Sequence, residues 1–298
     1  MDKNKILNLL DEILIAEKDK IYNLVENIKN ELNEEFIYLK NLLNSQEWPN
    51  AVENFQICDE NSEDEKTDRA ESVIEILIDS PLKDKKFLDF GCGEGHMAKY
   101  ASSQGAYLAA GYDILSPQNS QFVWEQKQQN LLLSTDFEKI KNEGPYDIII
   151  LYDVLDHSQD PVQVLKNAKS LLAEDGTIYL RCHPWCGRHG GHLYKQINKA
   201  FINLVFTEEE INQMGYKLDF SNKVFYPVMT YGGYIKDAGF TAGFAKNDPD
   251  IDFQNVENFF SENEIVKSRI LRNFTSKKWS KDQPVWQMSQ CFLDYKLK

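Results

Sequence analysis

No stretch of the 298 residues approaches the run of about 20 apolar side chains that a membrane-spanning helix needs, so no membrane partner is expected. Positive charge is scarce: 33 Lys and Arg stand against 47 Asp and Glu, a formal net charge of −14. That balance repels a phosphate backbone and argues against nucleic acid as substrate. Cysteines are few, odd in number and scattered, at Cys58, Cys92, Cys182, Cys186 and Cys291, a pattern of free thiols in a reducing compartment. The opening Met1-Asp2-Lys3-Asn4-Lys5 leads into charged sequence and carries no apolar signal core, which together with the thiols predicts a cytoplasmic protein. No G-x-G-x-x-G spacing follows the first apolar strand, which argues against a nicotinamide-dependent oxidoreductase. Internal repeats are also absent, and no Gly or Pro interrupts Lys5 to Asn44.

The most informative segment is Lys86-Phe87-Leu88-Asp89-Phe90-Gly91-Cys92-Gly93-Glu94-Gly95-His96-Met97-Ala98, an apolar strand that breaks into three alternate glycines and then a helix. A backbone without side chains admits a ligand close to the main chain at a helix N-terminus. About twenty residues on, Ala106 to Asp113 reads as a buried strand ending in an acid, placed to accept hydrogen bonds from both hydroxyls of a ribose. Asn130 to Phe137 reads as a third strand, with Asp136 at its end, and Pro145 to His157 as a fourth running into a polar turn.

This succession resembles the class I S-adenosylmethionine-dependent methyltransferases of the small-molecule type, with G-x-G-x-G in motif I and Tyr152-Asp153 in motif IV. The resemblance covers residues 62 to 298 and implies S-adenosylmethionine as cofactor. It implies that Asp89 helps hold the methionine amino end and that Gly91, Cys92, Gly93 and Gly95 form the loop. Asp113 then serves the ribose, Asp136 and Phe137 the adenine, and Tyr152 and Asp153 complete the cofactor site. The Asn/Asp-Pro-Pro-Tyr motif of enzymes that methylate base or amide nitrogens is missing, since the site reads Leu151-Tyr152-Asp153-Val154.

The alternation of short apolar strands with helices predicts an α/β fold whose mostly parallel sheet is covered on both faces. The resemblance sharpens this to seven strands with an antiparallel last strand, Val285 to Tyr295, inserted beside the sixth. Asp160-Pro161 is expected to open a helix carrying Val162, Leu165, Ala168, Leu171 and Leu172 inward, closed by Glu174-Asp175-Gly176 before a strand at Thr177 to Cys182. A further helix is expected from Thr230 to Gly239, a strand at Phe240 to Phe244, and one or two helices within 246–284 around Phe253, Val256, Phe259, Phe260, Ile265 and Ile270. Ser62 with Glu65 is a capping-box pattern, opening a helix with Ala70, Val73, Ile74 and Leu77 on its inner face. Residues 62–298 are read as the catalytic domain and 47–61 as an acidic linker.

Residues 1–46 are read as a long N-terminal helix. Ile21, Val25, Ile28, Leu32, Leu39 and Leu42 recur at steps of three and four, a seam interrupted by Asp11 and Glu35. Three uses stay open: a homo-oligomer through a coiled coil, packing against the catalytic domain, or capture of a foreign partner.

After the fifth strand, Arg181 to Tyr194 holds three of the five histidines and two cysteines. These residue types prompt a zinc site, but the spacing matches no standard structural one, and no metal ligand is assigned. An active-site lip beyond the strand ends is the expected role, with Arg188, His189 and His192 facing an acceptor and Trp185, Tyr194, Tyr226 and Tyr231 as pocket walls. His157, His183 and His189 are the candidate bases, because an imidazole titrates near neutrality; His96 is expected to pack near the cofactor. The expected activity is methyl transfer to a hydroxyl or amino group of a small molecule, sugar-like among the options. The alternative is a non-catalytic binding or assembly subunit that oligomerises through the N-terminal helix.

Overall fold

The computed structural model describes residues 3–51, 62–117, 120–188, 190–194, 196–217, 228–249, 253–276 and 290–298. Asp59 to Asn61 of the acidic linker, His189, Tyr226 and Val285 to Ser289 lie outside the described residues. In chain order the elements are α1 (Lys3–Leu43), α2 (Glu63–Leu77), β1 (Lys86–Phe90), α3 (His96–Ser103), β2 (Leu108–Tyr112), β3 (Leu131–Ser134), α4 (Phe137–Glu143) and β4 (Tyr146–Tyr152). There follow α5 (Pro161–Ser170), β5 (Leu172–Cys182), α6 (Ile202–Val205), α7 (Glu208–Gln213), α8 (Val228–Asp237), β6 (Ala242–Pro249), α9 (Phe253–Glu262), α10 (Glu264–Ser276) and β7 (Gln290–Leu297).

The strands form one mixed sheet ordered β3-β2-β1-β4-β5-β7-β6. Strands β1 to β5 run parallel, and β7 enters antiparallel between β5 and β6. The near-continuous apolar runs of the parallel strands follow from burial on both faces. Successive side chains alternate: Leu88, Leu108, Leu132, Ile149 and Leu151 face a core shared with α5 and α8, while Phe87, Ala109, Leu133, Ile148 and Ile150 face one shared with α2 and α3. Full burial of each large apolar side chain contributes roughly 1.5–3 kcal/mol of transfer free energy. Because β1 pairs with β2 on one side and β4 on the other, the chain reverses its winding there and opens a crevice at the strands' carboxyl ends.

A third core lies outside the sheet layers. Leu39 and Leu43 of α1, Trp48, the loop residues Trp185 and Leu193, Phe201, Leu204 of α6, Ile211 of α7, Phe260 of α9, and Val266 and Ile270 of α10 form it. Two neighbouring ionic contacts hold these elements together. Arg269 donates to Glu35 at 2.7 Å and to both carboxylate oxygens of Glu210 at 2.8 and 2.9 Å. Glu35, the residue that breaks the helical seam in the sequence, thus marks where α1 meets α10. Farther toward its N-terminus α1 stands clear, with Ile21 60% and Leu24 59% exposed.

Local punctuation works as the residue types dictate. Ser62 and Glu65 form the capping box of α2. Asp160 caps α5 ahead of Pro161. Helix α5 ends at Ser170, however, and Leu172 with Glu174-Asp175-Gly176 belongs to β5, where Leu172 pairs with Tyr146 ahead of a register shift. The helix-closing role expected of that tripeptide is therefore corrected. The reason is a close approach: a Cβ on Gly176 would stand 2.9 Å from the Tyr146 carbonyl oxygen, so this backbone lies directly against β4.

Candidate functional site

A cavity of about 280 Å³ opens at the carboxyl ends of β1 and β4, lined among others by Asp89, Gly91, Cys92, Gly93, Tyr152 and Asp153. The loop after β1 keeps its shape through glycine: Gly91, Gly93 and Gly95 all have positive φ, at 91°, 52° and 96°. At Gly91 a Cβ would fall 2.4 Å from Val154, and at Gly95 2.6 Å from Leu133, so the loop is packed as well as bent. Asp113, at the end of β2, braces it by accepting from Gly93 N–H at 2.9 Å and from Leu115 N–H at 3.3 Å.

Asp89 is the unusual group. It is only 2% exposed, and its Oδ1 has no hydrogen-bond partner among the described residues. Burial, with a smaller contribution from the Asp113 charge, pushes its carboxyl up to about 8. A buried oxygen left unsatisfied costs about 1–3 kcal/mol. A donor entering the cavity, above all a cationic one, relieves that cost. An ammonium group with a neighbouring sulfonium charge fits this position, so the residues present suit S-adenosylmethionine.

Helix α2 supplies a wall that glycine-motif reasoning alone does not find: Lys66, Arg69 and Ala70 line the cavity. Positions i, i+3 and i+4 share one helical face, and that spacing is the signal in the sequence. The Arg69 guanidinium lies 5.3 Å from the Tyr152 ring centre. Burial pushes the Tyr152 hydroxyl up to about 12. Lys66 bridges to Glu94 at 2.7 Å, and His96 Nε2 meets Glu63 at 2.9 Å, so α2 is tied to the glycine loop at the cavity rim. His96 and Met97 also line the cavity. Asp136 caps α4, its Oδ1 accepting from Glu138 and Lys139 N–H at 3.0 and 3.4 Å, and Phe137 packs edge-on to Tyr112. Asp113, Asp136, Phe137 and Gly95 are outside the lining of this cavity.

Beyond Tyr152 and Asp153 the polar turn of β4 faces the loop after β5. His183 Nδ1 contacts the Asp153 carboxylate. His157 Nε2 lies 3.6 Å from Asp156, and the His192 ring centre is 5.5 Å from those of both His157 and His183. The loop thus brings two of the three candidate bases, His157 and His183, to one place.

Other expectations for this loop are corrected. Trp185 and Arg188 are buried, the first in the third core and the second donating toward the Asn50 carbonyl at 3.5 Å. Tyr231 is wholly buried under the sheet and is no pocket wall. Burial raises the Cys186 thiol far above its ordinary range, and Cys182 Sγ contacts the Leu293 carbonyl, so both behave as core groups. A Cβ at Gly190 would stand 2.3 Å from the Trp185 carbonyl oxygen, which makes glycine a packing requirement at this turn.

A methyltransferase domain model matches residues 63–241, more than half of the chain. The chain belongs to the methyltransferase domain family. This agrees with the class I S-adenosylmethionine-dependent character of the glycine loop and with S-adenosylmethionine as cofactor. Ubiquinone biosynthesis O-methyltransferase of Histophilus somni is 27% identical over 109 residues, covering 33% of this chain and 44% of that protein. The Glaesserella parasuis protein of the same description is 28% identical over 107 residues, covering 32% and 44%. The chain therefore matches less than half the length of these curated relatives. Among solved structures, an S-adenosylmethionine-dependent methyltransferase from Mesorhizobium loti is 11% identical, covers 76% of this chain and 95% of its own, and has a TM-score of 0.44. A cyclopropane synthase from Mycobacterium tuberculosis is 13% identical, with coverages of 80% and 86% and a TM-score of 0.46.

Proposed function

We propose that this methyltransferase-family chain moves the methyl group of S-adenosylmethionine to a hydroxyl or amino group of a small molecule. The observation that carries the reading is the buried, unsatisfied Asp89 oxygen in the wall of the cavity. When bound there, the cofactor supplies a methyl already activated by its sulfonium. Asp89 would hold the ammonium of its methionine end, Asp113 the ribose hydroxyls, and Asp136 and Phe137 the adenine.

The remaining work of the protein is to align the acceptor and remove its proton. His183 is the base this reading favours, because a carboxylate contact at Nδ1 orients the ring and an imidazole titrates near neutrality. His183 would accept the proton of the acceptor O–H or N–H as the acceptor takes the methyl, the cofactor supplying a thioether leaving group that keeps the C–S electron pair. The polar turn and histidine loop suit a hydroxylated or amine-bearing acceptor of modest size, and the net charge of −14 disfavours nucleic acid.

Incubation of the full chain with labelled S-adenosylmethionine and a panel of phenols, sugars and amines tests this. Acceptor-dependent S-adenosylhomocysteine, lost in His183→Ala, is the expected result. Tight cofactor binding with no turnover on any class would instead favour a non-catalytic binding subunit.

A further inference from the structure

One cluster beside the cofactor cavity is more than the proton chemistry requires. Asp156, His157 and His192 bring a carboxylate and two imidazoles together, with one ligating atom from each within 4.8 Å of the others. Asp156 and His157 come from the turn after β4, and His192 from the loop after β5, so the grouping is made by the fold rather than by sequence neighbours alone. Asp156 is only 2% exposed, and His157 Nε2 stands 3.6 Å from its carboxylate. A second group, Asp153, Asp156 and His183, shares Asp156, so five ligating side chains converge on one region.

The donor chemistry narrows the occupant. Two imidazoles and a carboxylate suit zinc and its transition-metal neighbours, whereas magnesium and calcium favour oxygen donors. Tetrahedral zinc bonds of about 2.0–2.2 Å place ligand atoms about 3.3–3.6 Å apart, so side-chain shifts of up to about 1.5 Å close the site. His157 remains partly exposed, which leaves a path for entry. Another cluster, Glu63, Glu94 and His96, is already occupied by mutual and lysine salt bridges at the cavity rim. Cys182 and Cys186, the other ligand types in the loop, belong to no ligating group among the described residues.

We propose that the chain binds one zinc-class divalent ion through the Asp156 carboxylate and the imidazoles of His157 and His192. Three protein ligands leave an open position. Asp153, which lines the cavity, and His183 stand next to the site, so the ion sits beside that cavity. There the ion lowers the pKa of a coordinated acceptor hydroxyl and fixes its direction. That last role rests on the methyl-transfer reading; metal binding does not.

The test strips the full chain with a chelator and titrates it with zinc sulfate by calorimetry, while cobalt(II) uptake is followed by visible absorption. The expected result is one equivalent per chain. His192→Ala and His157→Gln should each weaken uptake at least tenfold, and His96→Ala should leave it unchanged. Circular dichroism checks each variant's fold; His157→Gln, at a partly exposed position, decides if His192→Ala does not fold. Absence of saturable uptake, or uptake that neither substitution alters, overturns the proposal, as does loss in His96→Ala alone. S-adenosylmethionine titration of the stripped protein keeps the readings separate: zinc uptake without cofactor binding sustains the metal site and sinks the cofactor assignment.

Discussion

Asp89 couples the cavity to stability through its proton. The folded, ligand-free chain holds that proton up to about pH 8, whereas the unfolded chain releases it near the ordinary carboxyl value of about 4. Between those values the folded state binds more protons, so stability falls as pH rises through the window and is fully retained only below it. Asp89→Asn removes this term. Urea unfolding at pH 5 and pH 8 should show the wild type losing at least about 2 kcal/mol more than the variant; equal losses would contradict the buried-carboxyl account. Asp113→Ala acts differently, since it removes the brace on Gly93 N–H and, on the proposed reading, the acceptor for the ribose. Cofactor affinity should drop at least tenfold by equilibrium dialysis while the circular dichroism spectrum stays unchanged. At this scale the glycine loop and its acids were legible because their chemistry is local: strand, turn and helix follow within thirteen residues. Lys66 and Arg69 were not, because they reach the cavity only once α2 packs beside α3, and the burial of Trp185, Arg188 and Tyr231 likewise depends on distant partners.

Secondary elements far apart in sequence are joined by two buried arginines, and here the expected effects are structural. Arg181 of β5 and Asp294 of β7 are register partners whose side chains form two hydrogen bonds at 2.7 and 2.6 Å. Asp294→Ala leaves a buried guanidinium without its carboxylate and should cost about 3–5 kcal/mol in chemical denaturation. A double replacement by apolar residues of similar volume should recover much of that loss, because the pair's desolvation cost disappears with it. Arg269 plays the joining part for α1, α7 and α10, and Arg269→Ala should cost about 2–3 kcal/mol. Helix periodicity made α1, α2 and α5 readable, and short apolar runs did the same for the parallel strands. Where α5 ends was misread because Leu171 and Leu172 continue the helical spacing, while pairing of Leu172 with Tyr146 wins for β5.

At the level of the whole molecule, a two-sided sheet carries the Asp89 cavity, and a third core built from α1 and the later helices stands beside the histidine loop. The end of α1 belongs to that core, so packing against the chain's own body accounts for Leu39 and Leu43, and the exposed Ile21 and Leu24 lie outside it. A chain lacking residues 3–30 should keep the melting temperature of the full chain within a few degrees; one lacking 3–48 should lose it by many, because Leu39, Leu43 and Trp48 go. Both are measured by thermal circular dichroism. The distinction was beyond the sequence, where one apolar seam runs through both halves of the helix.

The central claim, that the Asp89 cavity receives S-adenosylmethionine, is tested most directly by calorimetric titration at pH 7 in two buffers of different ionisation enthalpy. Binding that ionises Asp89 releases a proton, so the measured heats should differ between buffers by the buffers' own difference, and Asp89→Asn should abolish the difference. Absence of binding by folded protein, or binding with identical heats in both buffers, would contradict the account.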